Sequence, residues 1–453
     1  MFRLDNDFVV SGELINKLIE KHCTNREVKL KKYHDGEHDI LNRKFKDETK
    51  PNNKIVTNYC QYVTNLCVGY FMGKPISYSC HDKAYMEQMQ EIFDLNDEQQ
   101  VNAMLAQSGS IFSYGVELLY TKTNAANELE IRFDDLDLTE QKVILVYDRS
   151  IEKNLIMAIR YYNHEDIISG KDGTEIFVYT TDAIYQYVKA GEQIELLEET
   201  PHFFDEVPIN PYFNKNNKSD FEEIITLNDA YNLLQSDDIN ESDYSNDAYL
   251  LIRGMLTDEK SLETMKEHRV IELDEEGIAE WLMKNINDTW KENLKTRIKN
   301  DIHVIAAVPD LTDSSFGGTQ TGESMKYKLK PFEDNRIMKE RLFKQAIQRR
   351  IRLITNILNK QGHQYDWRDI IPRFTPNLPK SDLTVDEINK LVAGGIMSKE
   401  TGRTLIAAIE DPADEVEKIE QEKEESIDLD NLPPDEDEDE ENQDEIDDEE
   451  EIE

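Results

Sequence analysis

Apolar residues recur at helical spacing through the first hundred residues of the chain. One stripe consists of Leu14, Leu18 and Ile19, and a second of Ile55, Val56, Tyr59, Val63, Leu66 and Tyr70. A period near 3.6 residues indicates an amphipathic helix, and Gly73-Lys74-Pro75 is typical of a helix end. We therefore predict a mainly helical region over residues 11–110, with its aromatic side chains in a core.

Residues 111–200 change to short runs rich in β-branched and aromatic residues, separated by Asn, Asp and Gly. Such runs predict strands joined by turns. The runs are 115–120, 129–133, 143–147, 156–162 and 175–179. We predict an antiparallel meander, with residues 207–213 as a proline-stiffened segment that leads out of it.

The next region predicts two long helices separated by a short β-rich stretch. Ser219 and Glu222 have the spacing of a capping box, in which the serine accepts from a backbone amide and the glutamate reaches back. This predicts a helix to about Tyr244. Runs at 248–252 and 270–273 predict strands, and apolar residues at steps of about four then predict a helix from Trp281 to Val308.

Residues 323–360 form a third long amphipathic pattern, which Pro331 should kink or divide into two helices. Thr384 and Glu387 form another capping box, and Ser398 is a helix cap, so residues 381–410 predict a small helical unit. Helical regions on either side of a β-rich one indicate an α+β fold. A chain of 453 residues is long enough for two or three cores.

The chain is strongly acidic, with 95 Asp/Glu against 52 Lys/Arg and a formal net charge of −43. Residues 411–453 hold 25 of these acids and two lysines. Such a segment repels itself and cannot bury apolar surface, so we predict that it is disordered. A solubilising tail and a DNA-mimicking or partner-binding tail are both consistent with this composition.

Residues 323–360 are the basic exception, with 11 Lys/Arg and four Asp/Glu. Two partners suit them: DNA phosphates, or the acidic faces of neighbouring subunits. The predicted helix from 219 to 244 is one acidic counterpart; its acids include Asp229, Asp237, Asp238, Glu241 and Asp243. The candidate contact residues are Lys326, Lys328, Lys330, Arg336, Lys339 and Arg341.

A glycine-rich loop joins the last two long helices. The spacing from Gly317 to Gly322 nearly matches the phosphate-binding pattern G-x-x-x-x-G-K-[ST], but Glu323 replaces the lysine. A glutamate places negative charge where phosphate oxygens would lie, which argues against a nucleotide site. Because glycine supplies backbone freedom, we predict a mobile, nearly neutral loop. It consists of Phe316, Gly317, Gly318, Thr319, Gln320, Thr321 and Gly322.

The sequence predicts no catalytic residue, metal site or cofactor. Cys23, Cys60, Cys67 and Cys80 form no C-x-x-C pair and fit reduced thiols in a cytoplasmic protein. Their spacing with nearby histidines matches no standard zinc pattern. The N-terminus lacks the apolar core of a signal peptide, and the apolar stretch 55–71 is too short and polar to cross a bilayer. We therefore expect a soluble protein.

Seven short motifs follow one another in a specific order over residues 11–410. They are Asp39–Arg43, Lys50–Val56, Gly69–Pro75, Pro208–Asn214, the capped helix at Ser219, Val308–Gly318 and Ser324–Leu329. Each motif is weak alone, but the ordered set resembles the portal proteins of tailed siphophages of Gram-positive bacteria.

The resemblance implies a portal-like fold with an α/β wing, a helical stem, a small clip, a long channel helix, a helical crown and a disordered acidic tail. The implied regions are a wing over 1–218, stem helices over 219–308 with a clip at about 245–278, a channel (tunnel) loop over 309–322, a long kinked helix with a return to the wing over 323–380, a crown over 381–410 and a tail over 411–453. No role is assigned to the tail.

The resemblance also implies a function. Portal proteins form rings, usually of twelve subunits, at one vertex of the capsid in the virion. The ring encloses the channel through which double-stranded DNA enters during packaging and leaves at ejection. A basic lining would hold DNA through counterion release, so we expect a channel that is acidic or neutral.

The implied partners are other copies of the chain, double-stranded DNA, the terminase large subunit, a head–tail connector or adaptor protein, and the major capsid and scaffolding proteins. We expect assembly in the host cytoplasm and no membrane partner. ATP hydrolysis would belong to the terminase rather than to this chain.

Two other classes of protein stay open. One is a nucleotide-dependent enzyme or nuclease that acts on DNA, against which Glu323 and the lack of a clustered Asp/Glu/His signature argue. The other is a monomeric acidic scaffold or DNA mimic, for which residues 411–453 would be essential.

Overall fold

The computed structural model describes most of the chain before residue 406 and contains both helices and sheets, so the α+β class is confirmed. The chain divides into two units, residues 1–377 and residues 378–453. The described residues are 2–5, 7–47, 50–166, 171–191, 193–246, 249–253, 278–282, 288–312, 322–377, 385–406, 415–416 and 418–419.

The N-terminal region is mainly helical, as predicted, and its described residues form five helices. They are α1 (Gly12–Lys21), α2 (Asn25–His34), α3 (Tyr59–Met72), α4 (Lys83–Leu95) and α5 (Glu98–Phe112). Asn58 caps α3 by accepting from the Gln61 amide at 3.0 Å. Ile55 and Val56 therefore precede this helix, whereas the apolar stripe placed them within it. Gly73 follows α3, where an added Cβ would lie 2.2 Å from the Gly69 carbonyl oxygen.

Among the described residues between 2 and 213, ten strands form two sheets and contribute to a third. They are β1 (Phe2–Arg3), β2 (Ser77–Ser79), β3 (Tyr114–Thr123), β4 (Leu129–Asp135), β5 (Lys142–Tyr147), β6 (Leu155–Asp166), β7 (Lys171–Tyr179), β8 (Ala183–Ala190), β9 (Gln193–Pro201) and β10 (Ile209–Phe213). The larger sheet has the order β1-β5-β6-β7-β8-β9, and the smaller has the order β10-β3-β4.

The prediction of a single meander was wrong in two respects. The first two predicted strands, β3 and β4, pair with β10 in their own sheet, so the proline-containing segment 207–213 is itself largely a strand. β8 and β9 were not predicted at all. β8 is rich in Ile, Tyr and Val, a strand signal that our sequence reasoning missed. β9 mixes Gln and Glu with Leu, which favours neither helix nor strand locally, and antiparallel pairing with β8 makes it a strand.

Two long helices follow, joined through a strand ribbon. They are α6 (Ile225–Asn246) and α7 (Asp288–Ala306), and the ribbon pairs β11 (Tyr249–Arg253) with β12 (Ile278–Leu282) in antiparallel register. The predicted helix start at Trp281 was wrong, because Trp281 pairs with Leu250 inside the ribbon. Cross-strand pairing overrides the helical spacing of the apolar residues there.

The capping box before α6 is half formed as predicted. The Ser219 amide donates to the Glu222 carboxylate at 3.3 Å. The Ser219 hydroxyl instead accepts from the Phe221 amide at 3.4 Å and donates to the Ser110 carbonyl at 2.9 Å. The reason is a 3-10 turn, Glu222–Ile224, that precedes the α-helix. Other 3-10 turns are Asp39–Asn42, Lys215–Asn217 and Trp367–Asp369.

The longest helix, α8 (Gly322–Lys360), has 39 residues and runs without interruption across Pro331. Pro331 was predicted to kink this helix or to divide it into two, and the division is wrong. After α8, β13 (Ile371–Arg373) pairs with β2.

In the second unit, α9 (Val385–Ala393) and α10 (Lys399–Leu405) form a helical pair. Ser398 caps α10 by accepting from the Thr401 amide at 3.0 Å, as predicted, while Thr384 lies outside the described residues.

Three apolar clusters hold the first unit together. One packs α1, through Ile15 and Leu18, on the six-stranded sheet. A second packs α8 against α4, α5 and the three-stranded sheet. The third joins α6 and α7 to α2 and α3, with Ile298 and Ile302 of α7 buried. The α6–α7 pair is thereby attached to the body that contains both sheets.

Candidate functional site

The predicted channel loop falls largely outside the described residues, because Phe316, Gly317, Gly318, Thr319, Gln320 and Thr321 all do. Its two ends are described. The chain continues from α7 to Thr312, and Gly322 is the first residue of α8. We use the name loop base for residues 307–312, the described segment between α7 and the loop.

The loop base begins with a left-handed residue. Ala307 has a φ of +52°, a conformation that usually ends helices at glycine. The Ala307 amide donates to the Val304 carbonyl at 3.2 Å, and the Val308 amide donates to the His303 carbonyl at 3.1 Å. Val308 is buried. These contacts fix the direction in which the chain leaves α7.

Asp310 is the centre of the loop base. Its carboxylate lies 2.7 Å from the Lys299 ammonium and accepts from the Thr312 amide and hydroxyl at 3.0 and 2.6 Å. Lys299 also donates to the Thr312 hydroxyl at 2.9 Å. Burial opposes ionisation of Asp310, but the hydrogen bonds from Lys299 and Thr312 outweigh it and lower the pKa of Asp310 to about 2.

His303 joins the loop base to α3. Its ring lies edge-on to Tyr59 and Tyr62, with centroids 6.2 and 5.8 Å away. Its Nδ1 atom lies 3.3 Å from the Val308 carbonyl oxygen. Burial lowers the pKa of His303, and nearby Asp310 offsets this only in part. The ring is therefore neutral at pH 7 and donates to Val308 through Nδ1.

Two of the six candidate basic residues on α8 are largely buried and pair with acids of the same chain. Arg336 is buried and lies 2.8 Å from Glu333 and 2.6 Å from Glu340, one turn away on either side. The Tyr70 hydroxyl donates to Glu333 at 2.6 Å, so this group also attaches α8 to α3.

Lys339 is the second of these residues, and its ammonium group contacts Asp220. The same carboxylate accepts from the Ser110 hydroxyl at 2.6 Å and from the Asn214 amide at 2.9 Å. Burial alone would lower the pKa of Lys339, but the charge of Asp220 raises it above its ordinary value. Lys339 therefore stays charged while it links α8 to the segment before α6.

The other candidates differ. Lys328, Lys330 and Arg341 are exposed. Lys330 pairs with Asp334 at 2.6 Å, and Arg341 lies 3.9 Å from the Met338 sulfur. The side chain of Lys326 lies outside the described residues. The six residues thus do not form one basic surface.

The acids of α6 are also partnered within the chain. Asp237 pairs with Arg43 at 2.7 Å. Asp238 lies 3.1 Å from Lys291 and 2.8 Å from Lys295, and Glu241 also contacts Lys291. Asp229 accepts from the Tyr33 hydroxyl at 2.9 Å, and Asp243 accepts from Asn53 at 2.6 Å. Three of the five acids, Asp237, Asp238 and Glu241, are therefore paired with cations of the same subunit, which weakens the case for this helix as the counterpart of the basic residues on α8.

The same ion pairs show that α6 and α7 run antiparallel. Glu241 near the end of α6 meets Lys291 near the start of α7, and Asp238, one turn earlier, meets Lys295, one turn later. At the other end of the pair, Tyr59 contacts both Tyr231 and His303, at centroid distances of 5.3 and 6.2 Å. The pair is a helical hairpin that carries the strand ribbon at one end and the loop base at the other.

An extended segment before α3 lies along α6. Residues 50–58, which we call the strap, run antiparallel to the helix. Alternate strap amides donate to side chains spaced four residues apart on α6. The donor–acceptor pairs are Asn53 to Asn240 at 2.8 Å, Ile55 to Ser236 at 2.9 Å, Thr57 to Asn232 at 2.8 Å and, just beyond the strap, Tyr59 to Asn228 at 3.2 Å.

We call these four hydrogen bonds the polar ladder. It is possible because the repeat distance of the extended strap nearly matches that of the helix. Alternate residues of an extended chain are roughly 6.6 Å apart, and four residues of an α-helix rise about 6.0 Å. Asn228, Asn232 and Ser236 are fully buried, and Asn240 is nearly so. Arg43 closes the end of the ladder by donating to the Asn52 side chain at 3.0 Å and the Asn53 carbonyl at 2.8 Å. The sequence shows four polar residues on α6 at intervals of four, but it does not indicate that the strap is their partner.

Arg350 is a further residue that our sequence reasoning missed. It is fully buried and donates to Glu98 at 2.9 Å, to Asn102 at 2.8 Å and to Glu117 at 2.6 Å. Burial opposes its charge, but the two glutamates raise its pKa. Arg350 lies on the apolar stripe of α8, three residues from Ile347 and four from Ile354. That position is the signal that could have revealed a buried cation.

Apolar side chains are exposed on α7 and the loop base. Val304 is 76% exposed and Trp290 is 59% exposed, and Ile305 and Leu311 are also exposed. Exposed apolar groups of this size often mark contacts with another protein chain.

Among the described residues, no group of His, Cys, Asp or Glu has a geometry that could hold a metal ion. A search of the same residues finds no helix with the length and apolar character needed to cross a membrane.

Comparison with known proteins identifies the family. Residues 18–429 match the family described as phage portal protein, SPP1 Gp6-like. The chain is also 24% identical, over 445 residues, to the portal protein of Bacillus phage SPP1, a match that covers 90% of this chain and 86% of that protein. The chain belongs to the phage portal protein family.

Membership of this family decides between the functional classes of protein that the sequence left open. Portal proteins are structural components of tailed phages, so this chain is a component of the virion and not an enzyme. The match extends across α6, the strand ribbon, α7 and α8. The portal resemblance seen in the sequence is therefore confirmed.

Several motifs that carried the portal resemblance meet in space. Arg43, at the end of the first motif, bonds to Asn52 and Asn53 of the second. The second motif also supplies the Ile55 amide to the polar ladder on α6. In this portal protein, part of the motif pattern is therefore explained by one packing requirement, the attachment of the strap to α6.

Proposed function

We propose that the chain assembles into a ring at one capsid vertex, with twelve subunits as in the portal proteins it resembles. Double-stranded DNA would enter through the axial channel during packaging and leave through it at ejection. The observation that carries this proposal is the family match over residues 18–429, because it includes every element of the helical hairpin and its loop.

The proposed regions follow the order expected from the resemblance, with one boundary moved. The wing comprises residues up to 218, and α6 and α7 form the stem. The clip contains the β11–β12 ribbon and so extends to Leu282 rather than ending at about 278. Residues 309–322 form the channel loop, α8 runs behind it, and α9 and α10 form the crown.

The proposed DNA contact is the segment from Phe316 to Gly322. Support comes from its neighbours: Asp310 and His303 fix one end of the loop to α7, and α8 is anchored in the core from Phe332 onward. A glycine-rich segment between two fixed ends can adapt to a moving helical polymer. Its lack of basic residues avoids tight phosphate binding.

The exposed residues Trp290, Val304, Ile305 and Leu311 are proposed as contacts between neighbouring subunits. Burying them in a ring would remove apolar surface from water, at roughly 25 cal/mol per Å². Of the basic candidates, Lys328, Lys330 and Arg341 stay proposed contacts with DNA or a neighbouring subunit, since their side chains are exposed.

The proposed partners are the terminase large subunit, a head–tail connector or adaptor protein, and the major capsid and scaffolding proteins. Assembly would take place in the host cytoplasm. These proposals rest on the family and not on a surface identified in the chain.

Electron microscopy of the purified protein tests the proposal. We expect rings with an axial hole over some range of salt and protein concentration. A protein that stays monomeric throughout that range would contradict the ring. Removing residues 411–453 should leave rings intact, whereas a monomeric acidic DNA mimic would lose its function with the tail.

A further inference from the structure

Two edge strands of the first unit are covered by polar side chains. At the outer edge of β4, the Asn96 amide donates to the Ile131 carbonyl at 3.1 Å and accepts from the Phe133 amide at 3.0 Å. Beside β10, Arg349 donates to the Ile209 carbonyl at 2.6 Å. Side chains thus occupy backbone groups that could otherwise pair with another strand.

The outer edge of β9 is different. β9 ends the six-stranded sheet, and within the described part of the chain no strand pairs with its outer side. Ile194 packs near α1, but every residue from Glu195 to Pro201 is exposed. This stretch is long enough to present a row of free amides and carbonyls to another extended chain.

Two adjacent leucines lie on this edge. Leu196 is 50% exposed and Leu197 is 58% exposed. Leu196 pairs with Tyr187 of β8, and Glu198 pairs with Gln186, so Leu197 is the extra residue of a β-bulge. Neither leucine is covered by the core, which leaves apolar surface beside the free backbone edge.

The negative charge of β9 disfavours pairing of this edge with β9 of a second copy of the chain. Glu195, Glu198 and Glu199 are exposed, and β9 contains no Lys or Arg. Two β9 strands brought edge to edge would place these carboxylates against each other, and like charges across a strand pair are destabilising. The same carboxylates would repel DNA and acidic peptides. They favour an extended segment with lysine or arginine side chains.

We propose that the outer edge of β9, from Glu195 to Pro201, is a docking site for an extended basic segment of another protein, which adds to the sheet as a further strand. The backbone of the added strand would bond to the free amides and carbonyls, the glutamates would pair with its basic side chains, and Leu196 and Leu197 would contact its apolar ones. This proposal goes beyond the DNA channel and does not depend on it.

Hydrogen exchange of the full chain, read by mass spectrometry, tests the proposal. The probe is a synthetic peptide of the same length as β9 that alternates lysine and valine, and the matched control replaces each lysine with glutamate. With the basic peptide in excess, we expect amides between Gln193 and Pro201 to exchange about tenfold more slowly. The acidic peptide should leave them unchanged.

Charge reversal sharpens the test. The triple variant Glu195→Lys, Glu198→Lys, Glu199→Lys should exchange its preference, binding the acidic peptide and not the basic one. Glu152→Lys, an exposed glutamate between β5 and β6, should keep the preference of the unchanged chain.

Three results would overturn the proposal. The first is no slowing by either peptide, and the second is equal slowing by both, which would remove the role of charge. The third is an edge that already exchanges slowly in the assembled protein and becomes fast on dissociation. That result would make a second copy of the chain the occupant.

Discussion

Lys339 shows how burial changes the role of a basic residue. From the sequence it was a candidate for contact with DNA or a neighbouring subunit, but its ammonium group contacts Asp220 inside the subunit. The two charges are almost fully enclosed, so each depends on the other. Removing one partner of such a pair leaves an uncompensated buried charge.

Replacing Lys339 with Met should therefore destabilise the subunit by about 3–5 kcal/mol. Arg341→Met is the matched control, because Arg341 is exposed on the same helix and the variant loses the same charge. Thermal or urea denaturation of both variants measures the difference. Equal stability of the two variants would show that the Asp220 contact does not matter to the fold.

Asp310 forms a comparable ion pair at the loop base, although its side chain is only partly buried. Its carboxylate holds Lys299 and Thr312 together, and its pKa is lowered from 3.8 to about 2. A lowered pKa means that the folded state prefers the ionised group. The resulting stabilisation is present above about pH 4 and is lost as the pH falls towards 2.

We expect Asp310→Asn to lower the free energy of unfolding by about 1–3 kcal/mol at pH 7, since hydrogen bonds to a charged group are lost. The difference from the unchanged chain should shrink as the pH approaches 2. Asp301→Asn, which alters an exposed acid on α7 close to the loop base, should have little effect at either pH. Melting temperatures measured across this pH range provide the test. A pH-independent difference would contradict the assigned role.

At the scale of elements, the polar ladder determines how α6 attaches to the body. Four buried side chains at steps of four accept from alternate amides around the strap. A helix with such a stripe looks only weakly amphipathic in sequence, because the buried positions are polar. The strap supplies backbone amide donors, whose hydrogen bonds offset the free-energy cost of burying these polar side chains.

Replacing Asn232 with Leu should cost about 3 kcal/mol, because the Thr57 amide loses its acceptor and the contact with His38 is lost. Amides of the strap should then exchange faster than in the unchanged chain. Leu233→Ala, at the adjacent exposed position, should leave strap exchange unaffected. Exchange measured by mass spectrometry over residues 50–59 distinguishes the two. Unchanged protection in Asn232→Leu would mean that the ladder does not hold the strap.

The loop is the element whose proposed function depends on backbone freedom. Replacing Gly318 and Gly322 with valine should impair DNA packaging, because β-branched residues restrict the backbone. Ring assembly should stay intact, since the loop base and the core of α8 are not altered. Packaging assays and electron microscopy of the same variant separate these effects. Normal packaging would exclude the loop as a mobile DNA contact.

At the scale of the whole molecule, the exposed apolar residues of α7 are our proposed contacts for ring assembly. Val304 lies near the loop base with three quarters of its surface exposed. If it contacts a neighbouring subunit in the ring, a charged side chain there would be buried without a partner. The folded subunit alone would tolerate the same change, because the position faces solvent.

Val304→Glu should therefore prevent or weaken ring formation while leaving the melting temperature of the subunit nearly unchanged. Ile151→Glu is the control, since Ile151 is 98% exposed and lies in the turn between β5 and β6. Size-exclusion chromatography with light scattering reports the assembly state. Rings that form equally well in both variants would place the subunit contact elsewhere.

The sequence by itself determined the local elements whose signals are local. The N-terminal helices, the start of α10 at Ser398 and the long helix α8 all follow from apolar spacing and caps, which act within a few residues. The ordered motifs also determined the portal resemblance, which the family match confirms. Charge counting located the basic helix and the acidic tail, although it could not assign them partners.

Only the tertiary structure decided which residues meet. The strand conformation of Trp281 and the separate sheet of β3, β4 and β10 depend on contacts between distant segments, which override weak local preference. The same holds for charge. Lys339 and Arg350 could be placed on a helix from sequence, but their partners Asp220 and Glu117 are more than a hundred residues away. An ion pair depends on distance in space, and the order of residues along the chain does not specify that distance.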